Sequence, residues 1–165
     1  MRVFKRGHLL ARISSVPPIW DIPVEESGGV GVYKNILVVY KKNFEEVHDN
    51  ALATVRTVLD GFVSENIVRV DYTARETVRR ADFVGPDLVI VLGGDGTLTS
   101  IAHSIDDETP IMGVNSHPRM KDSDGSYGFY MGSDPDNFEE DIKTAMDGKA
   151  IVTVLPRLQA EIVTT

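Results

Sequence analysis

The sequence predicts an α/β protein, a doubly wound parallel sheet with helices on both faces. Three observations carry that prediction. Short apolar, β-branched runs alternate with stretches of helical periodicity. The run Asp87 to Leu92 is continuously apolar after its first residue, as in a central parallel strand covered on both sides. That run ends in a glycine turn, Gly93-Gly94-Asp95-Gly96, with a helix-compatible stretch behind it, the arrangement that places ligands at the carboxyl ends of strands.

Taken in order, residues 1–33 read as a basic N-terminal segment and linker. Arg2, Lys5, Arg6 and Arg12 fall within residues 1–20, where there is no acid. With Val3, Phe4, Leu9, Leu10 and Ile13 among them, the segment has the look of an organelle-targeting sequence, although short basic N-termini are common without that role. Pro17, Pro18, Pro23, Gly28, Gly29 and Gly31 mark a connecting stretch. Gly28-Gly-Val-Gly31 precedes the first strand instead of following one, so it is no dinucleotide fingerprint.

Residues 34–155 form the α/β unit. Asn35 to Tyr40 is the first strand; Asn43 with Glu46 makes a capping box ahead of a helical stripe of Phe44, Val47, Ala51, Val55, Val58 and Phe62, read as core packing. Ile67, Val68 and Val70 mark a second strand, and Thr73 with Glu76 caps a short helix ending near Ala81. After the Asp87 strand, Thr97 to Ser104 starts a helix, Pro110 to Val114 is a strand, and Pro135 to Met146 is a helix opened by Ser133 or Asp134 and closed by Gly148. Ile151 to Val154 is the last strand of the unit.

Composition narrows the function classes. Seventeen basic against 25 acidic residues give a net charge of −8, which argues against nucleic acid as the main partner. No apolar run reaches the ~18 residues of a membrane span. The chain has no cysteine, so it has neither disulfides nor thiolate chemistry, in keeping with a reducing compartment.

The glycine turn is the strongest functional signal. Gly93, Gly94 and Gly96 can take positive φ and bare amide N–H groups that, with a helix N-terminus, attract phosphate. Asp95 conflicts with that role. A carboxylate repels phosphate unless it holds Mg²⁺ or takes a proton from a nucleophilic hydroxyl. A tight turn with an Asx hydrogen bond is the plainer reading, but the strand before and the helix after favour chemistry. Lys41 and Lys42 end the first strand as candidate phosphate contacts, although such lysines are usually just solvated. His117 has no other His or Cys at ligand spacing, so it is read as a loop histidine and no metal ligand is assigned. Tyr127, Phe129 and Tyr130, taken alone, read as core.

Gly93-Gly-Asp-Gly-Thr97 after an apolar strand, then Pro110-Ile-Met-Gly-Val-Asn115, then Gly125-Ser-Tyr-Gly-Phe-Tyr130, resembles the N-terminal domain of the NAD kinase family from about Lys34 onward. The first motif is shared with diacylglycerol and sphingosine kinases; the Gly-Val-Asn segment favours NAD kinases. The resemblance makes residues 34–155 a nucleotide-binding kinase domain that transfers the γ-phosphate of ATP, with Mg²⁺, or of polyphosphate to the ribose 2′-hydroxyl of NAD to make NADP. It implies that Asp95 is the catalytic base or orients that hydroxyl, that Gly93, Gly94, Gly96, Thr97 and Asn115 line the nucleotide site, and that Phe129 and Tyr130 stack on the adenine side of NAD.

The insert Ser116 to Asp124 and the segment Glu76 to Asp82 look like the mitochondrial-type subgroup. Cytoplasm is the expected compartment, with mitochondria the alternative. The family continues into a β-rich C-terminal domain carrying an Asn-Glu or Asn-Asp pair and much of the oligomer contact. Residues 156–165 resemble its first strand, whose unpaired edge invites self-association. A homo-oligomeric full-length protein, and little activity in these 165 residues alone, are the corresponding expectations. A lipid or sphingoid-base kinase and a non-catalytic nucleotide-binding module are the alternatives; the first calls for an apolar acceptor groove, and the sequence has no such apolar excess.

Overall fold

The computed structural model describes residues 2–7, 33–42, 45–65, 68–119 and 124–156, with 2–7 and 156 described by their backbone. Six strands make one sheet: β1 (Arg2–Gly7), β2 (Asn35–Tyr40), β3 (Arg69–Ala74), β4 (Leu88–Gly93), β5 (Ile111–Asn115) and β6 (Ile151–Pro156). Their order is β3-β2-β4-β5-β1-β6. The first four in that order are mutually parallel. β1 runs antiparallel to β5 and parallel to β6, so the expected α/β sheet is present as a four-stranded parallel unit with a reversed pair added at one edge.

Alternation along the parallel strands separates two cores. Ile36, Val38, Leu88, Ile90, Leu92, Met112 and Val114 face α1 (Glu46–Ser64) and α3 (Phe138–Met146), whose Val55, Leu59, Phe138 and Ile142 are wholly buried against them. Leu37, Val39, Val89, Val91 and Ile111 point the other way, onto Leu98 and Ile101 of α2 (Asp95–Ala102) and onto Phe83. Apolar residues on both faces of β2, β4 and β5 require helices on both faces, as the continuous apolar runs indicate.

Several sequence expectations change. The helix ending near Ala81 does not form: Thr73 lies inside β3, paired with Val39, and the Ala74 carbonyl turns the chain by accepting from the Thr77 and Val78 N–H groups. Only a 3₁₀ turn, Arg80–Phe83, follows. Strand pairing on β2 satisfies Thr73 and Ala74 at less cost than an isolated short helix. α2 begins at Asp95, two residues before the expected start, and α3 begins at Phe138 instead of Pro135. Residues 134–137 make an Asx turn in which Asp134 Oδ1 accepts from the Asp136 and Asn137 N–H groups. Gly148, at φ +70°, closes α3 as expected. Glu45, not Asn43, precedes α1, and its side chain makes no cap hydrogen bond. Asn43, Phe44, Ile67 and the candidate strand Arg157 to Val163 lie outside the described residues. Arg2–Gly7, read as part of a basic leading segment, is a strand.

Chain direction reverses around β2: β3 lies on one side of it and β4 on the other. The connections that leave the paired carboxyl ends of β2 and β4 therefore run in opposite directions, the topological switch point at which open α/β sheets bind ligands.

Candidate active site

A cleft of about 590 Å³ opens at that switch point. Its walls come from Lys41, Glu45 and His48 after β2, Arg75 after β3, Gly94 to Thr97 after β4, Asn115 to His117 at the end of β5, and Asp124 to Ser126. The Lys41 N–H donates to the Leu92 carbonyl and the Ser116 N–H to the Gly93 carbonyl, which fastens the three strand ends around the cleft.

The glycines do not use the positive φ open to them. Gly93, Gly94 and Gly96 do not take positive φ; Gly94, which caps α2, is extended at φ −110° and ψ −177°. Their value is closeness. A Cβ on Gly93 meets the Thr97 Oγ1 at 2.5 Å and its Cβ at 2.7 Å, and one on Gly94 meets the Ser126 Oγ at 2.9 Å. Gly96 faces open space, so its lack of a side chain leaves room at the first turn of α2. The Asp95 and Gly96 N–H groups there have no intrahelical acceptor. Thr97 borders the cleft, but its side chain is buried over Gly93.

Asp95 is the first residue of α2 and partly buried. Its Oδ1 accepts from the Tyr130 N–H at 2.9 Å and its Oδ2 from the Ser126 hydroxyl at 3.5 Å. A carboxylate has about four lone-pair directions, so capacity remains for a hydroxyl arriving from the cleft. Asn115 is 6 % exposed and braces the loop facing Asp95: its Nδ2 donates to the Ser126 carbonyl at 3.1 Å and its Oδ1 accepts from the His117 N–H at 3.2 Å.

The aromatics stand elsewhere. Tyr130 meets Asp95 through its backbone N–H, and neither it nor Phe129 is among the residues lining the cleft. Phe129 is 81 % exposed and stacks on Tyr127 at 5.6 Å, with the Arg119 guanidinium 4.5 Å above the Tyr127 ring. Tyr127, Phe129 and Tyr130 are thus a surface group, not the core that their residue types suggest taken alone. Of the two lysines, Lys41 lines the cleft; Lys42 does not, and its N–H donates to Glu76 Oε2. Arg75 is a second cation at the cleft, paired with Glu76 at 2.9 Å.

Ser126, Arg75 and His48 went unnoticed in the sequence. Ser126 sits inside the Gly125-to-Tyr130 signature and was available as a signal; Arg75 and His48 carried none. His48, in the first turn of α1, places Nδ1 2.7 Å from the Ser116 Oγ. Burial first, and then the Lys41 charge, hold its imidazolium below the ordinary histidine pKa, against the opposing pull of Glu45.

Comparison with known proteins identifies relatives of this chain. The family model for the ATP-NAD kinase N-terminal domain matches residues 32–150. An NADH kinase of Arabidopsis thaliana is 28 % identical over 160 residues, covering 88 % of this chain and 48 % of that protein. A probable NADH kinase of Oryza sativa subsp. japonica is 31 % identical over 100 residues, covering 52 % and 31 %. An NAD kinase of Chromohalobacter salexigens is 43 % identical over 63 residues, covering 38 % and 19 %. The chain spans about half the length of the Arabidopsis protein and less of the other two. With nearly the whole α/β unit matched and the glycine turn at the centre of its cleft, the chain belongs to the ATP-NAD kinase N-terminal domain family.

Proposed function

We propose that the natural protein carrying these residues phosphorylates NAD or NADH, moving the γ-phosphoryl group of ATP onto the ribose 2′-hydroxyl, with Asp95 as the base that orients and deprotonates that hydroxyl. The observation behind this reading is the Asp95 carboxylate itself. It stands on the first turn of α2 inside the cleft, held from Tyr130 and Ser126 in one orientation with acceptor capacity to spare.

In the step, the bond from the 2′-oxygen to the γ-phosphorus forms as the bond from that phosphorus to its bridging oxygen breaks. The electron pair of the broken bond leaves with ADP, and the hydroxyl proton passes to Asp95. The first-turn N–H groups of α2 and the cations Lys41 and Arg75 offset phosphate charge. Asp124 also lines the cleft and offers the kind of carboxylate through which Mg²⁺, which keeps most of its waters and takes one or two carboxylates, would be held, leaving Asp95 free to act as the base. Bound with ATP, Mg²⁺ would neutralise phosphate charge. Positioning of both substrates does most of the remaining work, since effective molarity accounts for ~7–11 kcal/mol in well-oriented reactions.

The test is Asp95→Asn in the intact natural protein, assayed for NADP or NADPH formation. Asn keeps an oxygen for the Tyr130 N–H, so the fold persists while the base is lost. Turnover is expected to fall about 10²–10⁴-fold with a smaller change in KM. Turnover close to that of the parent removes Asp95 from the base role. A parent that phosphorylates a lipid, or that binds nucleotide without forming product, overturns the NAD kinase reading.

A further inference from the structure

On the wall of the cleft formed by the β2–α1 connection and the loop after β5, three ligand-type side chains converge from distant parts of the sequence. Glu45 precedes α1, His48 lies in its first turn, and His117 follows β5 by two residues. One ligand atom of each lies within 4.8 Å of those of the other two. The imidazole rings of His48 and His117 meet edge to face, with centroids 5.9 Å apart and planes at 82°. His48 Nε2 is 3.3 Å from Glu45 Oε2.

We propose that Glu45, His48 and His117 form a binding site for a borderline divalent transition ion of the Zn²⁺ class. The donor set selects the ion: two imidazoles and one carboxylate suit Zn²⁺, Co²⁺ or Ni²⁺, whereas Mg²⁺ and Ca²⁺ prefer oxygen ligands. The spacing fits. Ligands about 2.05 Å from a tetrahedral centre stand about 3.3 Å apart. The His48–Glu45 pair already has that separation. The widest separation, up to 4.8 Å, closes by rotation of Glu45, whose side chain is 60 % exposed, and of the partly buried His117 ring.

His48 is also braced as metal-binding histidines are. Its Nδ1 meets the Ser116 hydroxyl at 2.7 Å, which fixes the ring and leaves Nε2 facing Glu45. Three protein ligands leave a fourth position for water or an anion, and all three ligands line the cleft that contains Asp95. An ion here ties α1 to the loop after β5 and adds positive charge to that wall. The site follows from ligand geometry alone, and its test requires no turnover.

The experiment is a titration of the purified, metal-stripped 165-residue chain with Zn²⁺ against a chromophoric indicator, accompanied by thermal melts. One Zn²⁺ per chain is expected, with a raised Tm, undisturbed by millimolar Mg²⁺. His117→Ala and Glu45→Gln, both at partly or fully exposed side chains, are expected to weaken uptake at least about tenfold and to abolish the Tm rise. His48→Gln should do the same; if that partly buried position disrupts folding, the other two variants decide. Absence of stoichiometric uptake overturns the site. So does uptake that His117→Ala and Glu45→Gln leave unchanged, since the ion then sits on other groups such as His8 or His103.

Discussion

Replacing Gly113 by Ala tests whether β5 and the 128–132 turn are held as closely as the structure requires. Gly113 is in the middle of β5, and its carbonyl accepts from the Gly132 and Ser133 N–H groups, both at 3.1 Å. A Cβ there lies 2.6 Å from the Met131 Sδ, 2.7 Å from the Tyr130 carbonyl oxygen and 3.1 Å from the Met131 Cα. The sulfur can swing away, but the other two atoms are backbone. The Tyr130 oxygen is about 0.7 Å short of the 3.4 Å at which ordinary contact begins, so the turn itself must shift.

Overpacking of this kind costs about 1–3 kcal/mol. With a urea slope of about 1.5 kcal/mol/M, a loss of 2 kcal/mol lowers the unfolding midpoint by about 1.3 M. The same shift pulls the Tyr130 N–H away from Asp95 Oδ1, now 2.9 Å distant, so a variant that still folds should also lose the proposed phosphotransfer activity of the natural protein. Gly61→Ala is the control. Gly61 lies within α1 with nothing near its Cβ position, and Ala there should raise stability by about 0.5–1 kcal/mol. The two substitutions should move the urea midpoint, followed by circular dichroism, in opposite directions. An unchanged midpoint for Gly113→Ala would falsify the claimed contact.

Phe138→Ala, at a wholly buried residue between α3 and the sheet, should cost about 3–5 kcal/mol and shift the same urea midpoint further than Gly113→Ala; a loss below 1 kcal/mol refutes the packing. Burial first, and then the nearby charge of Asp87 for Tyr33 and of Asp60 for Tyr72, push the Tyr33 and Tyr72 phenols up to about 12, whereas in the unfolded chain they titrate near 10. The folded state therefore resists losing those protons, and their contribution to stability, complete below pH 10, is lost as pH rises from about 10 to 12. Urea midpoints taken across that range, with Tyr33→Phe and Tyr72→Phe flattening the fall, check the sign.

The centre of the sheet and its turn were legible because local signals agree there. An apolar run bounded by glycines has few other ways to fold, and Asp95 stands out as the one acid among bare amides. The helix assigned to residues 73–81 failed because pairing with β2 outweighs a local capping pattern. β1 was hidden by its charge: Arg2, Lys5 and Arg6 read as a solvated segment, and only its β5 and β6 neighbours make it a strand. The reason for the glycines was misread because closeness to Thr97 and Ser126 depends on the folded turn, whereas positive φ is what a glycine suggests in isolation. Tyr130 serves Asp95 through a backbone atom, which its side chain gave no means of foreseeing. His48 and His117 are remote in sequence, and no spacing rule brings them together; the switch point of the sheet does.

The order of the strands also sets a sequence of events. β6 reaches the parallel strands only through β1, and the pairs Arg2↔Ile151 to Gly7↔Pro156 join nearly opposite ends of the described chain. Such distant contacts carry the largest loop-closure entropy and form slowly, whereas β2 to β5 with α1 and α2 can associate over much shorter separations. The cleft around Asp95 belongs mostly to that early-forming part. Hydrogen exchange should therefore find β1 and β6 opening well before β2 and β4, leaving the turn around Asp95 standing after the reversed pair has frayed.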